Sequence, residues 1–433
     1  MMKFMNQLRK NAFWIKDKIT GRKVLKHIQD INNHLENNCA SNDRQEIFND
    51  LKTHAIQNVN FYKSLKADSS LKDFPIIDKA IIRSKLDDFI ADNYSQNKMN
   101  KVVTSGSTGL PFKTYQNKDK KNRNTADTIY FAKKSNFNIG SPLAYFKIWN
   151  KFNNKSALKQ FIENVIPINV VNLSEEAISK EIDNLESKYE NISFLGYPSA
   201  LENIASHINK NRKMLSFKVN SIITMSESLD NSQRELMKKS FKCNNVFSRY
   251  SNVENGIIAQ QIKPDSSDFM INTSSFIVEI LNEKNENVDN GKLGKIVVTD
   301  LFNKGMPLIR YDTGDLGSKS ISEIDGIKCQ ILNRVEGRRM DTIYNTKGEL
   351  ISSFNITNGM WDYSELLQYQ FIQKTNKEYI FKLNAPDGFL RESELRSDFK
   401  KILGNDAVIS FEYVEEIPLL SSGKRKKVVS LIN

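Results

Sequence analysis

The stretch Thr104-Ser105-Gly106-Ser107-Thr108-Gly109 governs the interpretation of the whole chain. It combines two glycines with four hydroxyl residues and no acid, so its N–H groups and hydroxyls can surround a polyphosphate without repelling it. The apolar pair Val102-Val103 precedes it, as expected of a strand that ends in a phosphate loop. It is not a Walker loop, because no Gly-Lys-Ser/Thr closes it. A hydroxyl-rich surface loop is the structural alternative, and the density of hydroxyls favours phosphate binding.

The composition is that of a globular protein with an excess of positive charge. The chain has 433 residues, enough for two or three domains, and its 63 Lys and Arg against 51 Asp and Glu leave +12. The lysines lack interleaved aromatics and no RNA-binding signature occurs, so we expect no nucleic-acid partner. Cys39, Cys243 and Cys329 are isolated, and no His or Cys pair has metal-ligand spacing. We therefore expect a cytoplasmic protein without disulfides or a zinc site.

The N-terminal residues predict a basic amphipathic helix. Phe4, Leu8, Ala12, Ile15 and Ile19 would form one apolar stripe, with most of the neighbouring lysines and arginines elsewhere. Two interpretations stay open: the helix packs on the body of the protein, or it makes a peripheral membrane contact. No stretch approaches the ~20 apolar residues of a membrane span.

The order of predicted elements indicates an α/β fold. Residues 1–95 form a polar helical lead-in, with a long helix predicted over Arg44–Leu65 and another capped by Asp78. From residue 101, short apolar strands, among them one predicted over Asn245–Phe247, alternate with helices. Two of these helices are predicted over Asn124–Lys134, after the phosphate loop, and over Glu175–Glu186. We predict a large N-terminal domain over 1–336, with parallel-sheet and β-rich parts, and a small α+β C-terminal domain over 337–433. In the small domain, Tyr369–Gln373 and Tyr379–Leu383 are predicted to form a hairpin, followed by a helix over Arg391–Leu403 and a strand over Ala407–Val414.

Further segments carry side chains suited to a nucleotide. In chain order they are Leu195–Leu201, Ser226–Ser228, Arg249–Glu254, Tyr311–Asp315, Gly337–Asp341 and Pro418–Lys424. Tyr250 can stack on a base and precedes Glu254, a carboxylate that can hold Mg²⁺. Asp312 and Asp315 flank a glycine turn and suit the hydroxyls of a ribose.

This ordered set resembles the adenylate-forming (acyl-CoA synthetase-like) superfamily. Within it, the set is most similar to the phenylacetate–CoA ligase branch and to the CapK-like proteins of capsular polysaccharide biosynthesis, over residues 75–433. The resemblance implies a large adenylate-forming domain followed by a small mobile domain. It implies an AMP-forming ligase that uses Mg²⁺ and ATP to convert a small carboxylic acid to an acyl-adenylate.

The resemblance also implies which residues bind ATP. They would be Thr104, Ser105, Gly106, Ser107, Thr108, Gly109, Ser226, Glu227, Tyr250, Ser251, Asp315 and Arg338. The loop would grip the β- and γ-phosphates, Tyr250 would stack on adenine, and Asp315 with Arg338 would bind the ribose. Ser226 and Glu227 would line the adenine and ribose side.

The resemblance implies a second set of residues, for catalysis and for binding the acid. Glu254 would coordinate Mg²⁺, and Lys424 would contact the substrate carboxylate and the α-phosphate. Tyr197 and Pro198 would border the acyl pocket. A carboxylate and a phosphate repel each other, so such a site must neutralise charge and align the attack.

Three departures from the family pattern keep alternatives open. Ser251 replaces a glycine, Val253 replaces a hydroxyl residue, and Met340 stands where the family has its hinge Asp or Lys. An inactive scaffold or binding subunit of a glycan-assembly complex is therefore one alternative. The acyl acceptor stays open among coenzyme A, an amine and a sugar, with amide or ester formation preferred over an acyl-CoA synthetase. The oligomeric state stays open too, with a homodimer among the alternatives.

Overall fold

The computed structural model describes residues 2–37, 42–104, 112–147, 149, 155–170, 175–211, 214–338, 343–348, 350–351, 356, 359–360, 362–363, 365–385, 388–418 and 426–432. They form two compact units. The first consists of Met1–Thr313 with Gly317–Val335, and the second of Gly314–Leu316 with Glu336–Asn433. No helix among these residues combines the length and apolar character that crossing a membrane requires.

Helices predominate in the lead-in and lie in each connection from β2 to β7. The α-helices are α1 (Met2–Ile19), α2 (Lys23–Glu36), α3 (Asn42–Asn58), α4 (Lys79–Ser84), α5 (Lys118–Lys134), α6 (Ala157–Glu163), α7 (Glu175–Glu186), α8 (Pro198–Lys210), α9 (Asn231–Phe241) and α10 (Glu392–Leu403). Short 3₁₀ turns cover Asn60–Tyr62, Leu71–Asp73, Leu86–Phe89 and Gln96–Lys98.

The strands divide into one large sheet and three small ones. They are β1 (Asn100–Thr104), β2 (Phe112–Gln116), β3 (Leu143–Lys147), β4 (Val165–Asn169), β5 (Asn191–Gly196), β6 (Lys218–Met225), β7 (Val246–Asn252), β8 (Gly256–Gln260), β9 (Phe269–Ile271), β10 (Phe276–Leu281), β11 (Gly294–Asp300), β12 (Tyr311–Ile324), β13 (Ile327–Arg338), β14 (Ile343–Tyr344), β15 (Leu350–Ile351), β16 (Gln368–Gln373), β17 (Glu378–Asn384), β18 (Val408–Tyr413) and β19 (Val428–Ser430).

The large sheet has 11 strands in the order β10-β11-β12-β13-β9-β8-β7-β6-β5-β3-β4. The strands β4, β3, β5, β6 and β7 run parallel to one another, whereas the pairs β7–β8 and β8–β9 are antiparallel. Helices α7, α8 and α9 cover one face of the parallel part through a core that includes Phe194, Ile222 and Val246. Because the strands are parallel, their carboxyl ends lie along one edge, where ligands bind in α/β sheets.

The predicted phosphate loop connects two antiparallel strands. β1 contains Val102 and Val103, as predicted, and pairs with β2 from Thr104↔Phe112 to Asn100↔Gln116. Strand β2 lies between this loop and α5, which is the predicted helix and ends at Lys134 as predicted. That helix begins at Lys118, earlier than the predicted Asn124, with the Asn117 side chain accepting from Lys120 N.

The polar start of α5 explains the error in its boundary. Lys120 and Arg123 are fully buried, and Lys120 forms an ion pair with Asp300 at 2.7 Å. Arg123 contacts Asp30 of α2 and donates from Nε to Ser275 Oγ at 2.7 Å. These polar residues therefore occupy core positions, and a search for apolar periodicity does not detect them.

The lead-in packs directly on the strand that begins at Tyr311. Phe48 and Leu51 of α3 share a buried cluster with Ile77 and Tyr311. Ile77 N donates to Arg310 O at 3.1 Å, and Asp312 N donates to Ile77 O at 2.8 Å. The helix predicted over Arg44–Leu65 ends at Asn58, because Val59 is extended and a 3₁₀ turn follows.

The second unit contains a four-stranded sheet in the order β18-β17-β16-β19. The predicted hairpin of β16 and β17 pairs from Gln368↔Asn384 to Gln373↔Tyr379, and β18 runs parallel to β17. Helix α10 buries Leu395, Phe399 and Leu403 in the same core as Phe371 and Phe381. The predicted hairpin, helix and strand are confirmed here, whereas β14, β15 and β19 were not predicted.

Candidate active site

Glu254 lies at the centre of a buried polar cluster in the turn between β7 and β8. Its side chain is 1% exposed, and Oε1 accepts a hydrogen bond from the Tyr311 hydroxyl at 2.8 Å. Lys79 Nζ forms an ion pair with the same oxygen at 2.7 Å. Gln116 Nε2 of β2 donates to the Glu254 backbone carbonyl at 2.9 Å. A buried carboxylate requires such partners, and here they come from three distant parts of the chain.

Lys79 is a residue that the sequence analysis missed. It is the first residue of α4, after the cap Asp78, which accepts from Ile81 N at 2.8 Å. Its Nζ lies 5.5 Å from the ring centroid of Phe112, where β2 begins after the predicted phosphate loop. A lysine in the first helical turn is unfavourable beside the positive end of the helix dipole. That local conflict was the one signal that could have identified it.

Tyr250 contacts Thr313, a residue of the predicted ribose segment Tyr311–Asp315. The Tyr250 hydroxyl donates to Thr313 Oγ1 at 3.1 Å, and Thr313 Oγ1 donates to Ile296 O at 3.0 Å. Tyr250 and Asp315 are half-buried. The pairing of β7 with β8 shifts register between Tyr250 and Ser251, and such bulges re-aim side chains beside active sites. Tyr250 and Ser251 therefore lie within β7 rather than after a strand that ends at Phe247.

Tyr197 lies between the end of β5 and the start of α8, next to Pro198. Strand β5 ends at Gly196, where an added Cβ would approach Phe146 Cβ to 2.7 Å, so the close packing of β5 on β3 requires glycine. Pro198 begins α8. Glu227 Oε2 accepts from Ser199 N at 3.0 Å in the first turn of α8, a favourable place for a carboxylate.

Ser226 adopts a left-handed backbone conformation, with φ of +69°. A non-glycine residue there is strained, and such residues cluster at functional sites. The observed position of Ser226 and Glu227 is beside the start of α8, and their implied contact with adenine and ribose stays a prediction.

Several predicted site residues lie outside the described residues: Ser105, Gly106, Ser107, Thr108, Gly109, Met340 and Lys424. Thr104 ends β1 and Arg338 ends β13.

The cluster around Glu254 is compatible with a magnesium ion. Lys79 and Tyr311 both contact Oε1, while Oε2 accepts no hydrogen bond from any described residue. In the described part of the chain, no group of three or more His, Cys, Asp or Glu side chains could hold a metal. A cation bound by Glu254 would therefore take most of its ligands from phosphate and water, as Mg²⁺ does in nucleotide sites.

Comparison with solved structures identifies the fold. A 2-hydroxyisobutyryl-CoA ligase in the postadenylation state, in complex with R3-HIB-AMP, has a TM-score of 0.72 at 14% identity, over 91% of this chain and 90% of that chain. The amide bond synthetase McbA from Marinactinospora thermotolerans has a TM-score of 0.54 at 16% identity, over 76% of this chain and 68% of that chain. The fold is that of the adenylate-forming ligases, and the predicted α/β class is confirmed.

Two sequence comparisons relate the chain to CapK. Residues 343–431 match the family model described as the CapK C-terminal domain. Protein CapK of Staphylococcus aureus is 23% identical to this chain over 378 residues. The match covers 84% of this chain and 81% of that protein. The chain is thus similar in sequence to CapK and has the fold of the adenylate-forming ligases, which confirms the predicted resemblance.

Proposed function

We propose that this protein is an ATP-dependent, AMP-forming carboxylate ligase. An oxygen of the acid attacks the α-phosphorus of ATP, the bond between that phosphorus and the α,β-bridging oxygen breaks, and acyl-AMP and pyrophosphate result. The observation that carries the proposal is the buried Glu254 cluster beside the Tyr250–Thr313 contact, in a chain with the fold of adenylate-forming ligases.

Charge neutralisation is the main task of such a site. Both reactants are anions, so preorganised cations and N–H groups supply most of the stabilisation. We assign this role to Lys79, to the N–H groups of residues 104–109, and to Lys424. Mg²⁺ bound by Glu254 would neutralise the polyphosphate, and Lys79 and Tyr311 orient that carboxylate.

The remaining predicted residues keep their proposed places around the nucleotide and the acid. Tyr250 stacks on adenine, Asp315 and Arg338 bind the ribose, and Ser226, Glu227 and Ser251 line the same site. Tyr197 and Pro198 border the acid. We further propose that the functional boundary lies near residue 336, so that Lys424 belongs to the small C-terminal domain.

The test is carboxylate-dependent exchange of labelled pyrophosphate into ATP over a panel of acids. Exchange with one or more acids would support adenylation. Formation of ADP and phosphate would contradict it, and no turnover with any acid would favour the inactive scaffold.

For the acyl acceptor, we propose an amine or a sugar hydroxyl in surface-polysaccharide assembly. The similarity to CapK supports the pathway, and the fold shared with an amide bond synthetase is compatible with amide formation. The fold shared with a CoA ligase keeps coenzyme A as the alternative. Product masses after incubation with ATP, a turned-over acid and either coenzyme A or amine and sugar acceptors distinguish them. Acyl-CoA formed as fast as pyrophosphate is released, with the other acceptors unused, would contradict the proposal.

We also propose that a cytoplasmic pool of the protein docks on anionic membranes through α1 and α6. The apolar stripe of α1 is exposed, with Phe4, Leu8, Ile15 and Ile19 at 67%, 43%, 58% and 80%. Leu158, Phe161 and Ile162 of α6 are also exposed, and Arg9 Nε of α1 donates to Phe161 O at 3.0 Å, so the two apolar surfaces adjoin. The exposed Lys16 and Lys18 provide the charge that anionic headgroups attract.

Co-sedimentation with vesicles tests this docking. Binding to phosphatidylglycerol vesicles, weakened by salt and by Ile15→Glu with Ile19→Glu, would support it. Leu390→Glu is the matched control, because Leu390 is fully exposed in the second unit. Equal binding to neutral phosphatidylcholine vesicles, or equal loss in the control, would contradict it.

A further inference from the structure

Arg249 is a buried cation at the carboxyl end of β7. It is 8% exposed, and its Nε donates to Gln260 Oε1 at 2.6 Å. Gln260 in turn donates from Nε2 to Phe131 O and Ser135 Oγ at the end of α5, so Arg249 lies on the face of the sheet that α5 covers. Neither terminal nitrogen of the guanidinium has a hydrogen-bond acceptor among the described residues.

Arg249 adjoins the predicted acyl pocket through two residues. Met225 is its register partner in β6, so both side chains project from the same face. The Tyr145 hydroxyl of β3 reaches Met225 Sδ at 3.6 Å. Phe146, which follows Tyr145 in β3, is the register partner of Gly196, and Gly196 immediately precedes Tyr197, the residue predicted to border the acid. Arg249, Met225, Tyr145 and Tyr197 thus line one region at the edge of the sheet where ligands bind in this class.

Two cationic side chains, Arg249 and Lys147, lie in this region. No carboxylate in the described part of the chain pairs with Arg249, and burial lowers its pKa to about 10. Tyr145 is neutral at pH 7, because burial raises its pKa to about 12. Lys147, at the end of β3, adds a second cation, with its Nζ 4.8 Å from the Tyr145 ring centroid and 4.2 Å from that of Trp149.

We propose that Arg249 binds a second carboxylate of the acyl substrate, so that the acid activated here is a dicarboxylic acid. An uncompensated buried guanidinium is costly, and a bidentate carboxylate is the ligand that matches its planar fork. The aromatic side chains of Tyr145, Trp149 and Tyr197 would contact the carbon skeleton between the two carboxylates. This inference rests on the proposed function for the fate of the first carboxylate, but binding of the second requires no catalysis.

The test compares each diacid with its own monoamide, which has nearly the same shape and one charge less. We expect wild type to prefer the diacid by about 10- to 100-fold, both in kcat/KM for pyrophosphate exchange and in affinity measured by calorimetry without ATP. Arg249→Gln should abolish the preference and Arg249→Lys should retain part of it. Gln260→Leu, which leaves the terminal nitrogens of Arg249 in place but removes the partner of Nε and the contacts of Gln260 with Phe131 and Ser135, should keep the preference even if it lowers the melting temperature.

The outcomes separate this inference from the proposed function. Exchange without a preference for any diacid would overturn the inference and leave adenylation intact. A preference in binding without exchange would support the inference and count against adenylation. If Arg249→Gln unfolds the protein, the partial preference of a folded Arg249→Lys decides, and an unchanged preference in that variant would overturn the role of the bidentate fork.

Discussion

Arg249 and Glu254, at the two ends of one short segment, are both buried and carry opposite charges, but their surroundings differ. Glu254 is neutralised within the protein by Lys79 and by the Tyr311 hydroxyl. Arg249 is almost as deeply buried, yet among the described residues its one hydrogen-bond partner is the neutral Gln260. The contrast indicates that one end is preorganised before any ligand binds, whereas the other is completed by a ligand. We infer that the Glu254 end serves the reaction and the Arg249 end serves the choice of acid.

The largest expected effect concerns Lys424, the cation that we propose completes the Glu254 end. Lys424→Ala should reduce exchange at least ~100-fold with a near-normal melting temperature, because a preorganised electrostatic donor acts mainly on the transition state. Lys426→Ala is the matched control from the same basic run. Equal activity of the two variants would assign Lys424 to a solvated surface instead.

Breaking the neutralised pair should destabilise the protein. Lys79→Met leaves Glu254 buried with Tyr311 alone, and we expect a loss of about 2 kcal/mol in the free energy of unfolding, less than for a fully buried pair because Lys79 is 35% exposed. Lys85→Met, a change at the other end of α4, should cost under about 0.5 kcal/mol. A double-mutant cycle with Glu254→Gln measures the coupling, and a coupling near zero would show that the pair does not stabilise the fold.

Tyr250→Ala should weaken ATP binding by about 1–3 kcal/mol, because a base stacked on an aromatic side chain contributes that much. Calorimetry with ATP measures the change. Tyr250→Phe removes only the hydroxyl that contacts Thr313 and should retain most of the affinity. If both variants bind ATP as wild type does, Tyr250 is not part of the nucleotide site.

Glu254→Gln separates the metal role from the structural one. It keeps the shape of the side chain but removes its charge, so the Mg²⁺ concentration for half-maximal exchange should rise about tenfold. A Mg²⁺ titration on the folded variant measures this. An unchanged midpoint would leave Glu254 as a structural partner of Lys79 and Tyr311.

The smallest effect is a pH dependence at the Arg249 end. Burial lowers the pKa of Lys147 from 10.5 to about 8, so between these values the unfolded chain binds more protons and stability rises with pH. Lys147→Met lacks this rise in the free energy of unfolding. Any stability that the variant gains over wild type should therefore be greatest below pH 8 and should shrink towards pH 10.5. Urea unfolding at pH 7 and pH 10 measures it, with Lys242→Met as an exposed control. If the free energy of unfolding differs between wild type and Lys147→Met by the same amount at both pH values, burial does not lower the pKa of Lys147.

Local patterns were sufficient for much of the fold. The alternation of strands and helices, the bounds of α7 at Glu175–Glu186, the hairpin of β16 and β17, and the Asp78 cap were all predicted. Each depends on residues close in sequence, whose periodicity or capping chemistry is visible without the fold. The start of α5 was missed because its first buried side chains are Lys120 and Arg123, which enter a core only with partners such as Asp300 and Asp30.

The sequence by itself predicted the class of site from an acid-free hydroxyl loop, an aromatic followed by an acid, and carboxylates at a glycine turn, in one order. Only the tertiary structure decided how charges pair. Tyr311 and Glu254 are 57 positions apart, and Lys79 reaches Glu254 because the segment around Ile77 bonds to the strand beginning at Tyr311. The sequence likewise does not show that Arg249 is buried without a carboxylate partner among the described residues. Whether a charge is neutralised depends on which distant groups the fold brings within a few ångströms, and no local pattern encodes that distance.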